Sequence, residues 1–243
     1  MRKPKLLVAT AGAVAGLAIL LPGITSASPL RDAPYEPHLN PKDFSTKVDN
    51  RYFPLPVGWT WIYKGTKEGR PQIDRVTVTS RAKRVAEGIK ARVVTDVSKT
   101  AQGKLLEKTT DLYAQDRSGN VWYLGEKTAA YLPGGKVDRS GSWQAGVNGG
   151  EPGIIMLANP QIPDAYRQEY QKGNAEDTAW IVNRGTSASV PFGTLHNVLT
   201  SLEFARIEPN VVDQKIYAPG IGIVRETALT GPPEVAKLVR VIK

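Results

Sequence analysis

From Val57 onward the strongest signal in the chain is a two-residue period, which restricts it to strands with opposite faces in different surroundings. Trp59, Trp61 and Tyr63 alternate with Thr60, Ile62 and Lys64. Val76 and Val78 alternate with Thr77 and Thr79, and Val93, Thr95 and Val97 with Val94 and Asp96. β-Branched and aromatic residues suit a pleated, half-buried surface, and Gly65, Gly69, Gly88 and Gly103 punctuate the runs as turns. Helical periodicity is almost absent. The expected class is all-β with little helix.

The pattern also repeats. Gly88–Thr95 lines up with Gly193–Thr200 at an offset of 105. Leu112-Tyr113-Ala114 before Val121-Trp122 lines up with Ile216-Tyr217-Ala218 before Ile223-Val224 at 104, and Pro54–Gly58 echoes Pro160–Asp164 at 106. Both copies end in an acid, Glu126 and Glu226. A near-constant offset predicts a duplicated unit of about five antiparallel strands, too small to bury its apolar face alone. The two copies, about 53–126 and 160–226, then close on each other as a sandwich or a curved open barrel within a single β domain, 51–243. The connector 127–159 holds seven glycines and Trp143, and a link of that length reads as functional cover over a shared hollow. Within it, Ile154–Leu157 after Pro152 reads as a short helical turn.

The N-terminus carries a different code. Arg2, Lys3 and Lys5 precede an apolar run from Leu6 to Leu21, broken by Pro22-Gly23 and followed by small residues. These are the three parts of a secretory signal, expected to span 1–28 with cleavage near Ala27 or Ser28. The run is shorter than the ~20 residues a spanning helix needs, so no membrane span is expected after processing. The expected location is secreted or periplasmic. Residues 29–50, rich in Pro, Asp and Asn, read as an extended leader.

Composition narrows the chemistry. The sequence has no cysteine, which excludes disulfides, thiol catalysis and sulfur-ligated metals, so the core must supply the stability. Two histidines, His38 and His196, cannot build a multi-histidine zinc site. The net charge of +9 falls to +6 without Arg2, Lys3 and Lys5 of the signal segment, and the remaining cations are spread along strands as a solvated face. At most this implies weak contact with anionic envelope polymers; nothing suggests nucleic acid, and no cofactor is expected.

Candidate sites follow from residue type. Trp61, Tyr63, Trp122, Trp143 and Tyr217 are candidates to line an apolar ligand cavity, with core packing as the alternative role of strand aromatics. Glu126, Glu151 and Glu169 are candidate general acids and bases, since sugar hydrolysis needs two carboxylates about 5–10 Å apart, although no catalytic residue is assigned. Asp116, Ser118 and Asn120 alternate as oxygen donors around Gly119, but lack the acid a calcium loop needs at its twelfth position, so a hairpin turn is expected rather than a metal site.

The segments Phe53–Tyr63, Val190–Leu195 and Tyr217–Glu226, with Asp111–Glu126 and Gly141–Met156, resemble exported, β-rich bacterial proteins of uncharacterised function. That resemblance implies a relation to curved half-barrels of the lipoprotein-carrier kind and brings no catalytic residues with it. The leading expectation is a non-catalytic protein binding an apolar or amphipathic ligand, such as a lipid, in a curved β-sheet cavity. The alternatives are a hydrolase of envelope polysaccharide with paired carboxylates, and a structural envelope-associated protein.

Overall fold

The computed structural model describes residues 35–243. The signal segment expected at 1–28, the cleavage expected near Ala27 or Ser28, and the first part of the expected leader lie outside the described residues. Sixteen strands follow in order: β1 (Phe44–Ser45), β2 (Thr60–Lys67), β3 (Arg70–Arg84), β4 (Lys90–Thr100), β5 (Leu105–Asp116), β6 (Val121–Tyr131), β7 (Val137–Asp138), β8 (Trp143–Gln144), β9 (Glu151–Met156), β10 (Ala165–Arg167), β11 (Glu169–Tyr170), β12 (Asp177–Val190), β13 (Gly193–Ala205), β14 (Val212–Ala218), β15 (Gly222–Thr230) and β16 (Glu234–Ile242). The only helical pieces among the described residues are three single 3₁₀ turns, at Pro41–Asp43, Ala86–Gly88 and Pro133–Gly135. The all-β reading holds.

Neighbouring strands pair antiparallel in the order β10-β12-β13-β14-β15-β16-β2-β3-β4-β5-β6-β9-β11. One stretch of chain, residues 165–170, pairs with β12 through β10 and with β9 through β11, so it joins both ends of the path and the sheet all but closes into a barrel. Of the two arrangements expected, the barrel is the one found. Its curvature comes from bulges in the longest strands: the register slips between Val78 and Ala82 in β3, and three times between Ile181 and Ser187 in β12. A bulge adds local twist and bends the strand, which a closing sheet requires.

The N-terminal meander β2–β6 meets the C-terminal one, β12–β16, along the β2–β16 ladder. There the backbones come unusually close. A Cβ on Gly65 would lie 1.7 Å from the Val235 carbonyl oxygen, so only glycine fits at that point of the seam.

The largest apolar cluster lies inside one end of the barrel, where Val48, Tyr52, Phe53 and Leu55 pack against Trp61, Val94, Leu199, Tyr217 and Leu238. Residues 48–55 therefore act as a plug, and Asn50 holds it. The Asn50 amide donates to the Gly119 and Leu157 carbonyls at 3.0 Å each, and its oxygen accepts from the Tyr52 and Phe53 amides. A second cluster of Val85, Ile89, Val93, Leu112 and Leu124 lies on the outer face of β4–β6, covered by Leu39, Phe44 and Trp122. The leader is thus fastened to the barrel from Tyr35 onward: Tyr35 Oη donates to the Pro152 carbonyl and β1 pairs with β5.

The connector differs from its sequence reading. Instead of strandless cover it supplies β7, β8 and β9, each paired with β6. The helical turn expected at Ile154–Leu157 is corrected: Ile154–Met156 belong to β9. Pro152 and Gly153 sit in a strand because pairing with β6 and β11 outweighs their weak local strand preference.

Candidate functional site

Strand hairpins alternate between the two ends of an antiparallel barrel. The plug closes the end that carries the β5–β6 and β14–β15 turns. The opposite end, with the 67–70, 100–105 and 230–234 turns, stays open. Between them lies a cavity of about 780 Å3. Its floor is Phe53, Pro54, Leu55 and Ile221; its mouth carries Lys67, Glu68, Arg70, Lys104 and Pro133. A smaller chamber of about 190 Å3 adjoins it, and Glu107, Glu126 and Ala130 line both.

The aromatic wall is fixed by its polar tips. Trp61 Nε1 donates to the Ile221 carbonyl at 2.8 Å, and Tyr63 Oη to the Ile223 carbonyl at 2.9 Å. Both reach past β16, the strand between theirs and β15, so the two rings are held against the lumen in one orientation. Phe53, Tyr113, Tyr123 and Trp143 form a row of ring contacts, with Tyr113 and Tyr123 stacked at 4.9 Å and the others edge-on at 5.3 Å.

Above this floor the wall turns acidic. Register places Asp74 opposite Ser98, Asp96 opposite Thr109, and Asp111 opposite Glu126, so inward positions of β3–β6 carry a band of carboxyls that continues to Glu107. Asp74, Asp96, Glu107, Asp111 and Glu126 all line the cavity, and among the described residues none has a lysine or arginine nitrogen within 4 Å. Burial, reinforced by Asp74 and Glu107, pushes Asp96 up to about 7. Burial and the Glu107 charge take Glu126 to about 7. Asp111 is driven well above the carboxylate range by burial and by Glu126.

Tyr123 Oη lies 2.8 Å from Asp111 Oδ1 and 3.2 Å from Glu126 Oε2. A phenol has one proton to donate, so it cannot donate to both carboxyls at once. The second contact is a full hydrogen bond only when the other carboxyl is protonated and donates to the phenol oxygen, which fits the raised affinity of both for protons.

The opposite wall holds the lumen's compensated charges. Lys215 Nζ lies 2.6 Å from Glu203 and 4.0 Å from Glu226. Burial raises the Glu203 carboxyl, but Lys215 and hydrogen bonds from Tyr217 and Ser201 bring it below its ordinary value. Glu226, for which burial outweighs the attraction of Lys215, stands at about 6. At the mouth Lys67 pairs with Glu234 at 3.1 Å.

The residues singled out from sequence divide accordingly. Trp61, Tyr63 and Tyr217 line the large cavity. Trp122 faces the other way, packed edge-on against Phe44 with its indole N–H donated to Asp116. Trp143 is buried behind Tyr123 and lines neither chamber. Glu126 lines both chambers and Glu169 the smaller one; Glu151 lies outside them, in the surroundings of Glu36 and Glu87. Asp116 closes a hairpin, accepting from Asn120 and Trp122, while Ser118 is exposed. Among the described residues no three His, Asp or Glu side chains are grouped to hold a metal ion.

The sequence reading missed Asp96, Glu107, Asp111, Glu203 and Lys215. The usable signal was strand parity: Asp111 shares a face with Tyr113, and Lys215 with Tyr217, so an acid or amine two residues from an inward aromatic points into the same space.

Fold and cavity together define a nearly closed antiparallel β-barrel with a ligand-sized, acid-banded lumen. The solved structures it is similar to include a presumed exported protein with a YmcC-like fold from Bacteroides fragilis, with a TM-score of 0.48 and 19% identity over 80% of this chain and 100% of that one. A presumed lipoprotein from Parabacteroides distasonis has a TM-score of 0.44 and 14% identity over 79% of this chain and 99% of that one. No protein-family model and no curated protein matches the chain. Among the described residues no helix is long and apolar enough to cross a membrane.

Proposed function

We propose that this is an exported, non-catalytic binding protein that holds one apolar or amphipathic small molecule in the barrel lumen. The observation that carries the reading is the cavity of about 780 Å3, closed by an aromatic plug at one end and open at the end with the 67–70, 100–105 and 230–234 turns. Small-molecule sites run about 300–1,000 Å3 and combine apolar walls with a few polar groups, and this lumen has that character. Export rests on the charged, apolar and small-residue segments of 1–28. An origin by duplication is supported by the sequence offsets, which set β4, β5 and β6 against β13, β14 and β15, two runs with the same consecutive antiparallel order. A lipid is the class of occupant that fits an apolar floor beneath a polar mouth.

Native mass spectrometry of purified protein, with titration of the neutral fluorophore N-phenyl-1-naphthylamine, tests the reading. A retained small molecule or saturable one-to-one fluorescence enhancement supports it. A lumen that is empty and refuses the fluorophore overturns it.

A second reading, hydrolysis of an envelope polysaccharide, is favoured by one observation: Asp111 and Glu126 share the Tyr123 phenol at the wall of the same lumen. Two carboxyls of raised proton affinity are the material of general acid–base catalysis. Glycan hydrolysis abolished in Glu126→Gln would support it, and no turnover across a glycan panel removes it.

A further inference from the structure

We infer that the occupant of the lumen carries a cationic group, an alkyl ammonium or similar organic cation, seated among Asp96, Glu107, Asp111 and Glu126 with its apolar body toward Phe53 and Trp61. This rests on the lumen-binding reading above and adds the charge and orientation of the ligand to it.

Three observations carry it. The first is composition by depth: the closed floor is apolar and aromatic, and the acids begin midway up the wall. A lumen serving a purely apolar molecule would be more stable lined with apolar side chains, because a buried carboxyl costs free energy unless it is paired. The second is imbalance. Lys67 and Lys215 are already held by Glu234, Glu203 and Glu226, and Arg70 and Lys104 at the mouth form no ion pair within 4 Å with any of the four named carboxyls, which leaves these without a cation of their own among the described residues.

The third is independent of the count. Glu169 projects into the adjoining chamber, is only 8% exposed, and its Oε2 has no hydrogen-bond partner. The Trp143 indole N–H, near enough to favour the ionised carboxyl, is likewise out of bonding geometry. Asp96 Oδ1, on the main cavity wall, is also unpartnered. Buried acceptors left open at a cavity wall await a donor, and an ammonium group has three donors and no acceptor. The four carboxyls are spread over β4–β6, and among the described residues no three acids are grouped to hold a metal ion, which suits an extended organic cation better.

The test is a charge series on one scaffold with the intact barrel: dansylcadaverine, which ends in a primary amine, its neutral N-acetyl derivative, and a dansyl alkyl carboxylic acid. Binding is read by energy transfer from tryptophan to dansyl. The amine should bind about ten- to a hundredfold tighter than the N-acetyl compound, the scale of charge-assisted hydrogen bonds, and the acid weakest. Asp96→Asn and Glu126→Gln should each pull the amine-to-acetyl ratio toward one. The ratio compares two ligands on the same preparation, so a loss of folded protein does not imitate the result, and if neither variant folds the wild-type series still decides. Equal binding of amine and N-acetyl compounds, or preference for the acid, overturns the cationic assignment and leaves lumen binding standing. Refusal of all three, with refusal of N-phenyl-1-naphthylamine, overturns both.

Discussion

Lys215 Nζ and Glu203 Oε2 lie 2.6 Å apart inside the barrel wall, and Tyr217 and Ser201 each donate to the other oxygen of the same carboxylate at 2.8 Å. Glu203 thus has both oxygens engaged, and among the described residues Lys215 is the cation paired with it.

Removing one partner strands the other. Lys215→Met should cost about 3–5 kcal/mol, because it leaves an uncompensated buried carboxylate. The double variant Lys215→Met, Glu203→Met should recover much of that loss. Urea unfolding monitored by circular dichroism measures both, and a fully additive pair would contradict the coupling.

Stability should fall as the solution is made more alkaline from about pH 5 to about pH 8. Asp96 and Glu126 hold their protons in the folded barrel to about 7, whereas in the unfolded chain they release them near the ordinary carboxylate values. Between those limits the native state binds more protons than the unfolded state, so raising the pH favours unfolding. Glu203, held below its ordinary value, acts the opposite way, and its contribution is lost only in stronger acid. Asp96→Asn should flatten the alkaline slope of Tm against pH, read by scanning calorimetry without ligand.

Asn50 is a clamp on the plug, with two accepted and two donated hydrogen bonds. Asn50→Ala should cost about 2–3 kcal/mol, because it orphans buried backbone groups. Hydrogen exchange should accelerate first at residues 48–55, ahead of β4 and β5. Uniform acceleration across the barrel would show that the plug is not a separately held unit.

Gly65→Ala should damage the seam between the two meanders. The added methyl meets the backbone carbonyl of Val235 and cannot be relieved by a side-chain rotation. The cost should reach about 3 kcal/mol or more, the upper range for overpacking. Gly69→Ala is the comparison for available space, since a Cβ there meets nothing, though its positive φ adds a smaller strain. Chemical denaturation of the two variants ranks them.

The class of fold was legible because period two survives at Trp59–Tyr63 and Val93–Val97 whatever the topology. The inner face was much harder to read. In β5 the inward side is Glu107, Thr109, Asp111 and Tyr113, and the outward side includes Leu112, buried under the leader. With carboxyls facing in and leucine facing out beneath a covering segment, hydropathy gives the wrong side, as it did for Trp122. The helical turn expected at Ile154–Leu157 failed for a related reason: the pairing of β9 with β6 and β11 is long-range and leaves no local mark.

The sequence by itself determined that this chain forms alternating strands without disulfide support, because those properties depend on composition and on neighbours along the chain. Only the tertiary structure decided that residues 165–170 close the barrel, that residues 48–55 plug it, and that acids from four strands face one hollow. Those outcomes depend on strand register and curvature, which bring together side chains far apart in sequence and set how much water each of them keeps.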